Sequence, residues 1–348
     1  MTRNEVLERY DRAVDFFLHE MEAKKRSKNT ISNYRRYLGF FRDFYEKTHG
    51  EDETVKDDPS YLDVQMWRDE LEENGFKAST IRLYLVSIKN FFDFCSDESL
   101  GEDRFFAKNP VARRMFPDTR FQDRKPYDEI LSDEDVFKLW DNTPVRKRGI
   151  KVTNWPRNYA IVMLLLATEI RNKELLDLRL SDLDFEYGEI QIFEGKGNKY
   201  RCVDFPEIAQ TAVKLYLQSG LRPEGLSNDD YLFGTTSANE QSSFESCSEW
   251  HRGGRRWLTA LVTRHVKLVT GVDNVGTHDL RHVGARLDLH NGMRSEELQA
   301  KLGHECLTTT QVYSGKLGAN RRRVTAKRVY EERDLQAKRN EMMLAGVM

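Results

Sequence analysis

The stretch GEIQIFEGKGNKYRCVDF, residues 188–205, has a hydrophobic period of two. Gly188 to Phe193 and Tyr200 to Phe205 alternate as strands do, and Gly195 to Lys199 supplies the turn between them. The segment is predicted to be a β-hairpin with Lys196 at its tip. On both sides of it apolar residues return every three or four positions, the period of amphipathic helices. The chain is therefore expected to be mainly α with a small antiparallel β-sheet.

Upstream, four helices can be traced. Asn4 to Lys25 places Val6, Leu7, Val14, Phe17, Leu18 and Met21 at helical spacing. After Ser27 or Asn29 as N-cap, Ile31, Tyr34, Leu38, Phe41 and Tyr45 repeat. A shorter helix runs from Tyr61 to Asn74, with Val64, Trp67 and Leu71 inward and Gly75 as its stop. The fourth follows Ser79 or Thr80 and carries Ile81, Tyr84, Leu85, Ile88, Phe92 and Cys95. Four such helices make a bundle, assigned to residues 1–105. Residues 106–128 lose the periodicity and hold Pro110, Pro117 and Pro126 among many bases, which marks a basic linker.

A second domain is expected over residues 129–319. It opens with a helix at Ser132, where Asp135 stands in a capping-box position. An apolar helix, Tyr159 to Thr168, and a polar one starting near Arg171 precede the hairpin. Thr235 to Gly254 is polar and reads as a mobile loop. Asn320 to Leu344 suits a helix, within a C-terminal element of residues 320–348. That element either docks on a neighbouring protomer, through Val324, Val329, Leu335, Met342 and Met343, or folds back on its own domain.

Composition excludes several classes. The 348 residues are 39% hydrophobic and 32% charged, a globular balance. The longest apolar run, Ala160 to Ala167, falls far short of the ~18 residues of a membrane span. The N-terminal MTRNEVLERYDRAVDFF mixes acids with bases and lacks a secretory core, so a cytoplasmic protein is expected, with no membrane partner. Cys95, Cys202, Cys247 and Cys306 lie far apart, which argues against a zinc ribbon or a disulfide framework. Net charge is −2, yet the bases are segregated. Lys24, Lys25, Arg26, Lys28, Arg35, Arg36 and Arg42 follow one another with no acid between them. Arg113 and Arg114 lie in a second basic stretch, Arg255 and Arg256 in a third, and Arg321 to Arg323 in a fourth. Four clusters on a near-neutral protein point to a polyanion partner.

Four segments of the second domain can carry chemistry. Arg171 opens a helix with Glu174 three residues on. Lys196 tips the hairpin. His278 and Arg281 share one face of a helix at a spacing of three. Gly303-His304 is followed nine residues later by Tyr313. Taken singly, these are a surface ion pair, a solvated turn, a capping pair and one of fourteen tyrosines. Converged, two arginines can fork onto the non-bridging oxygens of one phosphodiester and stabilise its five-coordinate transition state. A lysine can protonate a leaving oxygen and histidines can manage a proton. A tyrosine hydroxyl, with a pKa of ~10, needs such neighbours to act as a nucleophile. No carboxylate cluster suited to Mg²⁺ is visible, so the arginines would do a metal's work.

In order and spacing the set resembles the tyrosine recombinases, the phage integrase family that includes the Xer proteins. Twenty-five residues separate Arg171 from Lys196, and twenty-three separate Arg281 from His304. The phrases GKGNK, THDLRH, LGH and TTTQVYSG are close to that family's wording. The resemblance implies a four-helix, SAM-like core-site-binding domain followed by an α+β catalytic domain, forming a clamp around duplex DNA. It implies that Tyr313 attacks the scissile phosphate to form a 3′-phosphotyrosyl link, with Arg171 and Arg281 on the phosphate and His304 on a non-bridging oxygen. Lys196 would protonate the leaving 5′-oxygen, His278 would take the tyrosine proton and Glu174 would orient Arg171. No metal, ATP or other cofactor is implied. The partners implied are paired recombination sites, a homotetramer on DNA and, in some systems, an accessory DNA-bending protein. A type IB topoisomerase-like nicking-closing enzyme and a catalytically silent DNA-binding relative stand as alternatives. Glu169 departs from the glycine usual before the Ile170-Arg171 step, and Val-Gly-Ala-Arg follows His282 where Thr-x-Ala-Thr is usual.

Overall fold

Residues 1–50, 58–118, 130–141, 146–147, 150–151, 154–194, 199–235, 251–303 and 319–346 are described by a computed structural model. The chain divides into two units, Met1–Arg124 and Lys125–Met348, each around its own hydrophobic core.

In the first unit the helical periodicity becomes α1 (Arg3–Ala23), α2 (Lys28–Thr48), α3 (Tyr61–Glu73) and α4 (Ala78–Cys95). Thr2 with Glu5 and Ser60 with Asp63 form capping boxes, and Ser27 accepts from the Thr30 amide. Gly75, at φ +74°, ends α3 as expected. Tyr10 lies at the centre of the core, its ring 5.1 Å from Phe91 and its hydroxyl donating to the Leu38 carbonyl at 3.1 Å.

Two expectations for this unit need correcting. Helix α4 is capped at Lys77 rather than at Ser79 or Thr80, because the Lys77 carbonyl accepts from the Thr80 and Ile81 amides with no side-chain help. The bundle also does not end at residue 105. Phe106, Val111 and Met115 are buried in its core, with Phe106 packed 5.0 Å from Phe92. Asn109 Nδ2 donates to the Lys89 carbonyl at 2.9 Å and to Asp93 Oδ1 at 2.6 Å. The first part of the segment read as linker is thus fastened along α4.

The second unit starts with α5 (Asp133–Trp140), where Ser132 and Asp135 form the expected reciprocal cap. Two-residue strands β1 (Arg146–Lys147) and β2 (Ile150–Lys151) pair before α6 (Trp155–Thr168). From Tyr159 to Leu166 no residue of α6 is more than 1% exposed. The helix is apolar all round because α5, α8 (Glu207–Gln218), α9 (Arg255–Thr270) and α10 (Thr277–His290) surround it. After α7 (Asn172–Asp177), strands β3 (Leu183–Asp184), β4 (Glu189–Glu194) and β5 (Lys199–Asp204) form an antiparallel sheet in that order. Ile190 pairs with Val203 and Ile192 with Arg201. Phe193 and Tyr200, opposite each other, face solvent.

Strands β6 (Gly234–Thr235) and β7 (His251–Arg252) pair, so the ends of the polar stretch 235–254 are tied together. Its middle lies outside the described residues. Helix α11 (Ser295–Leu302) leads towards the C-terminal helix, α12 (Ala319–Leu344). Helix α12 packs on α8, α5 and α10 of its own unit. Val329 and Ala337 are buried, and Asn340 Nδ2 donates to Tyr159 Oη at 3.3 Å and Thr211 Oγ1 at 3.4 Å. Leu335, Met342 and Met343 are exposed, and the Val324 side chain is outside the described set. Among the described residues no helix is long and apolar enough to cross a membrane.

Candidate active site

The last four carbonyls of an α-helix have no intrahelical donor and sit at the negative end of its dipole. At the end of α11 three consecutive carbonyls, the third that of its cap residue, are each taken by an arginine. Arg201 Nε donates to Lys301 O at 3.3 Å, Arg281 Nη2 to Leu302 O at 2.7 Å and Arg171 Nη2 to Gly303 O at 2.6 Å. Gly303 makes this possible as a left-handed C-cap at φ +62°, with the Arg201 guanidinium 3.2 Å from where a Cβ would stand.

Glu174 holds the other side of two of these guanidinia. Its Oε1 accepts from Arg171 Nη1 and Arg201 Nη1, both at 2.9 Å, and its Oε2 accepts from Arg201 Nη2 at 2.9 Å. Oε2 also accepts from the Arg171 amide at 2.6 Å, which starts α7. Burial works to raise the Glu174 pKa, but the Arg201 and Arg171 donors outweigh it and hold the carboxyl below its ordinary value. Arg281, on α10, is buried to 2% exposure, and its Nη1 donates to the Glu169 carbonyl at 2.5 Å. That carbonyl belongs to the turn ending α6, where Glu169 adopts φ +50°, ψ +28°.

His278 lies one helical turn before Arg281 and is exposed on one side, its ring 4.3 Å from that of His282. Partial burial, then the charge of Arg281, lowers its pKa and favours the neutral, proton-accepting imidazole. The structure thus brings Arg171, Arg281 and Glu174 together around the end of α11, with His278 on the same helix as Arg281. Lys196, His304 and Tyr313 lie outside the described residues. Among the described residues, no group of three or more His, Cys, Asp or Glu could hold a metal ion.

Arg201 was not singled out from the sequence. Its signal is positional: Val203 on the same strand and Ile190 and Ile192 across from them face the core, so Arg201 occupies an inward place. An arginine there needs an acidic partner, and Glu174 is that partner. Lys24, Lys25, Arg26, Lys28, Arg35, Arg36, Arg113, Arg114, Arg255 and Arg256 are all exposed. Some already have local partners: Lys24 lies 3.6 Å from Glu20, Arg35 lies 3.5 Å from Asp15 and Arg114 stacks on Tyr61.

Fold and site together define a two-unit, mainly helical protein whose second unit brings Arg171 and Arg281 onto neighbouring carbonyls at the end of α11. Residues 135–318 match the phage integrase family, and residues 14–99 match the phage integrase N-terminal SAM-like domain. The chain belongs to the phage integrase family, the tyrosine recombinases. It is 28% identical to the tyrosine recombinase XerA of Pyrococcus furiosus over 329 residues, 94% of this chain and 93% of that one. It is 27% identical to the tyrosine recombinase XerC of Staphylococcus epidermidis over 306 residues, 87% of this chain and 92% of that one. Among solved structures, a XerH site-specific recombinase bound to palindromic difH substrate shares the fold with TM-score 0.63 and 20% identity, covering 84% of this chain and 78% of that one. The Tn1549 transposon integrase, in complex with transposon right end DNA, has TM-score 0.60 and 19% identity, covering 94% of this chain and 99% of that one.

Proposed function

We propose that this chain is a site-specific DNA recombinase that cuts and rejoins duplex DNA through a 3′-phosphotyrosyl intermediate. The observation that carries the reading is the placement of Arg171 and Arg281 on the neighbouring carbonyls of Gly303 and Leu302, in a member of the tyrosine recombinase family. Two guanidinia held side by side can take the two non-bridging oxygens of one phosphodiester and offset the charge that builds at five-coordinate phosphorus.

Tyr313 Oη forms a bond to the scissile phosphorus while the bond to the 5′-oxygen breaks. The tyrosine proton passes to His278, whose lowered pKa keeps it ready to accept, and Lys196 gives a proton to the leaving 5′-oxygen. His304 donates to a non-bridging oxygen. The phosphotyrosyl ester retains the energy of the broken bond, so a second 5′-hydroxyl can reverse the step without ATP or metal. Glu174 keeps Arg171 aimed and shares its charge with Arg201.

The first unit, Met1–Arg124, is the core-site domain, and the second, Lys125–Met348, is the catalytic domain with its C-terminal helix. The exposed bases supply phosphate contacts and a salt-sensitive affinity, while bundle helices choose the site. Exchange between two duplexes takes four active protomers, hence a tetramer on paired sites, with a DNA-bending protein as a further partner where the sites demand it. The test is a plasmid carrying one or two copies of the sequence at which the protein forms covalent adducts. Recombination that requires two copies supports the reading. Relaxation of supercoils on any plasmid, without exchange, would replace it with a nicking-closing enzyme.

A further inference from the structure

Glu169 is a non-glycine residue in the left-handed region, a conformation that L side chains rarely adopt and that costs free energy. It is also a carboxylic acid buried to 1% exposure. Both costs point to a role for the side chain. Its Oε2 lies 2.6 Å from Lys301 Nζ. Lys301 Nζ also donates to Asp288 Oδ2 at 2.6 Å and to the Ala167 carbonyl at 3.4 Å, and Tyr330 Oη donates to Asp288 Oδ1. The carboxylate occupies a notch that exists because residue 284 is glycine: a Cβ there would stand 2.8 Å from Glu169 Oε1 and 2.9 Å from its Cγ.

The two ends of this contact are the two rims of the Arg281 cradle. The Glu169 carbonyl takes Arg281 Nη1, and the residue after Lys301 supplies the carbonyl that takes Nη2. The next carbonyl, of Gly303, takes Arg171. We propose that Glu169 and Lys301 are positioning residues for the phosphate clamp: their side chains fasten the end of α6 to the end of α11 and so set the spacing of the carbonyls that aim Arg281 and Arg171. The proposal rests on the recombinase reading for its catalytic consequence. Both side chains are buried, Lys301 to 8% and Glu169 to 1% exposure, and both act through the arginines. Burial, with the charge of Asp288, pushes the Glu169 carboxyl up to about 8 against the pull of Lys301. Glutamine keeps the side chain's length and an oxygen acceptor for Lys301, and is its close replacement.

Four proteins test this: wild type, Glu169→Gly, Glu169→Gln and Lys301→Met. Glycine relieves the backbone strain while removing the carboxyl, so Glu169→Gly is expected to fold. The first readout needs no DNA: arginine side-chain NMR, with the Arg281 signals assigned from Arg281→Lys. Hindered guanidinium rotation is expected in wild type and Glu169→Gln, and averaging in Glu169→Gly and Lys301→Met. The second is the single-turnover rate of covalent complex formation on a duplex selected by wild type from a randomised library. A loss of ~10-fold or more is expected for Glu169→Gly and Lys301→Met, as for small misplacements of reacting groups, with DNA affinity kept and with rescue in Glu169→Gln. Unchanged Arg281 signals in all four proteins would overturn the proposal. So would wild-type rates in Glu169→Gly and Lys301→Met, or a loss in Glu169→Gln equal to that in Glu169→Gly. If wild type forms no covalent complex, the recombinase reading fails, and the NMR comparison alone decides the positioning role.

Discussion

Arg281 and Glu169, 112 residues apart in sequence, meet through a 2.5 Å hydrogen bond from the guanidinium Nη1 to the glutamate's backbone carbonyl. With Leu302 O on Nη2, that contact fixes the plane of a buried guanidinium between two helix ends. Lysine has the charge but not the fork, so Arg281→Lys cannot span both carbonyls and present a phosphate-binding edge. The expected result is a fall in cleavage of roughly 100-fold with DNA binding nearly intact, the usual cost of one transition-state donor. Single-turnover cleavage set against a binding isotherm checks it.

Glu174 is 8% exposed at its side chain and serves two arginines at once. Glu174→Ala leaves Arg201, itself 14% exposed, without its acid. The expected cost is about 3 kcal/mol, typical of breaking a buried pair, read as a lower denaturation midpoint of the second unit. Because the folded pKa of Glu174 is depressed, its stabilisation is present above the unfolded carboxylate pKa and is lost as pH falls through the lower folded value. Acid unfolding of the Ala variant should therefore be shallower in that window.

His265 provides a second acid-sensitive point. Burial, with the ring 4.6 Å from Trp155, pushes its pKa down to about 4. Between an ordinary value of ~6.5 and about 4 the unfolded chain holds a proton that the folded chain does not, so stability falls as pH falls through that range. His265→Gln should flatten this part of the stability profile. An unchanged slope would mean that other groups set it.

Gly284 lets α10 approach the end of α6. A Cβ there would overlap the Leu166 carbonyl oxygen as well as crowd Glu169. Gly284→Ala is expected to destabilise by about 2 kcal/mol, as overpacking does, and to disturb Arg281 on the next turn back. Thermal melting and cleavage rate measured together report both effects.

What could be read from the sequence follows physical scale. Helices α1 to α4 and the β4–β5 hairpin show themselves because local spacing alone creates their buried faces. The approach of Arg171, Glu174 and Arg281 is implied by family wording, not by spacing, since Arg171 meets the Gly303 carbonyl 132 residues on and Arg281 meets the Glu169 carbonyl 112 residues back. Phe106, Val111 and Met115 have no period, and only the shape of the finished bundle gives them a place. Glu169 stands in the sequence where glycine is usual before the Ile170-Arg171 step. Its left-handed backbone is the conformation glycine would favour, and the side chain finds Lys301, a partner no local pattern announces. Arg201 was legible in principle as a charge at an inward strand position.

The most direct test is capture of covalent protein–DNA complexes from a randomised duplex library, in denaturant with EDTA, using wild type and Tyr313→Phe. The account predicts adducts from wild type at one recurring sequence, a modified peptide containing Tyr313 attached to a DNA 3′ end, and none from the variant. Adducts that persist in Tyr313→Phe, or that map to another residue, would contradict it.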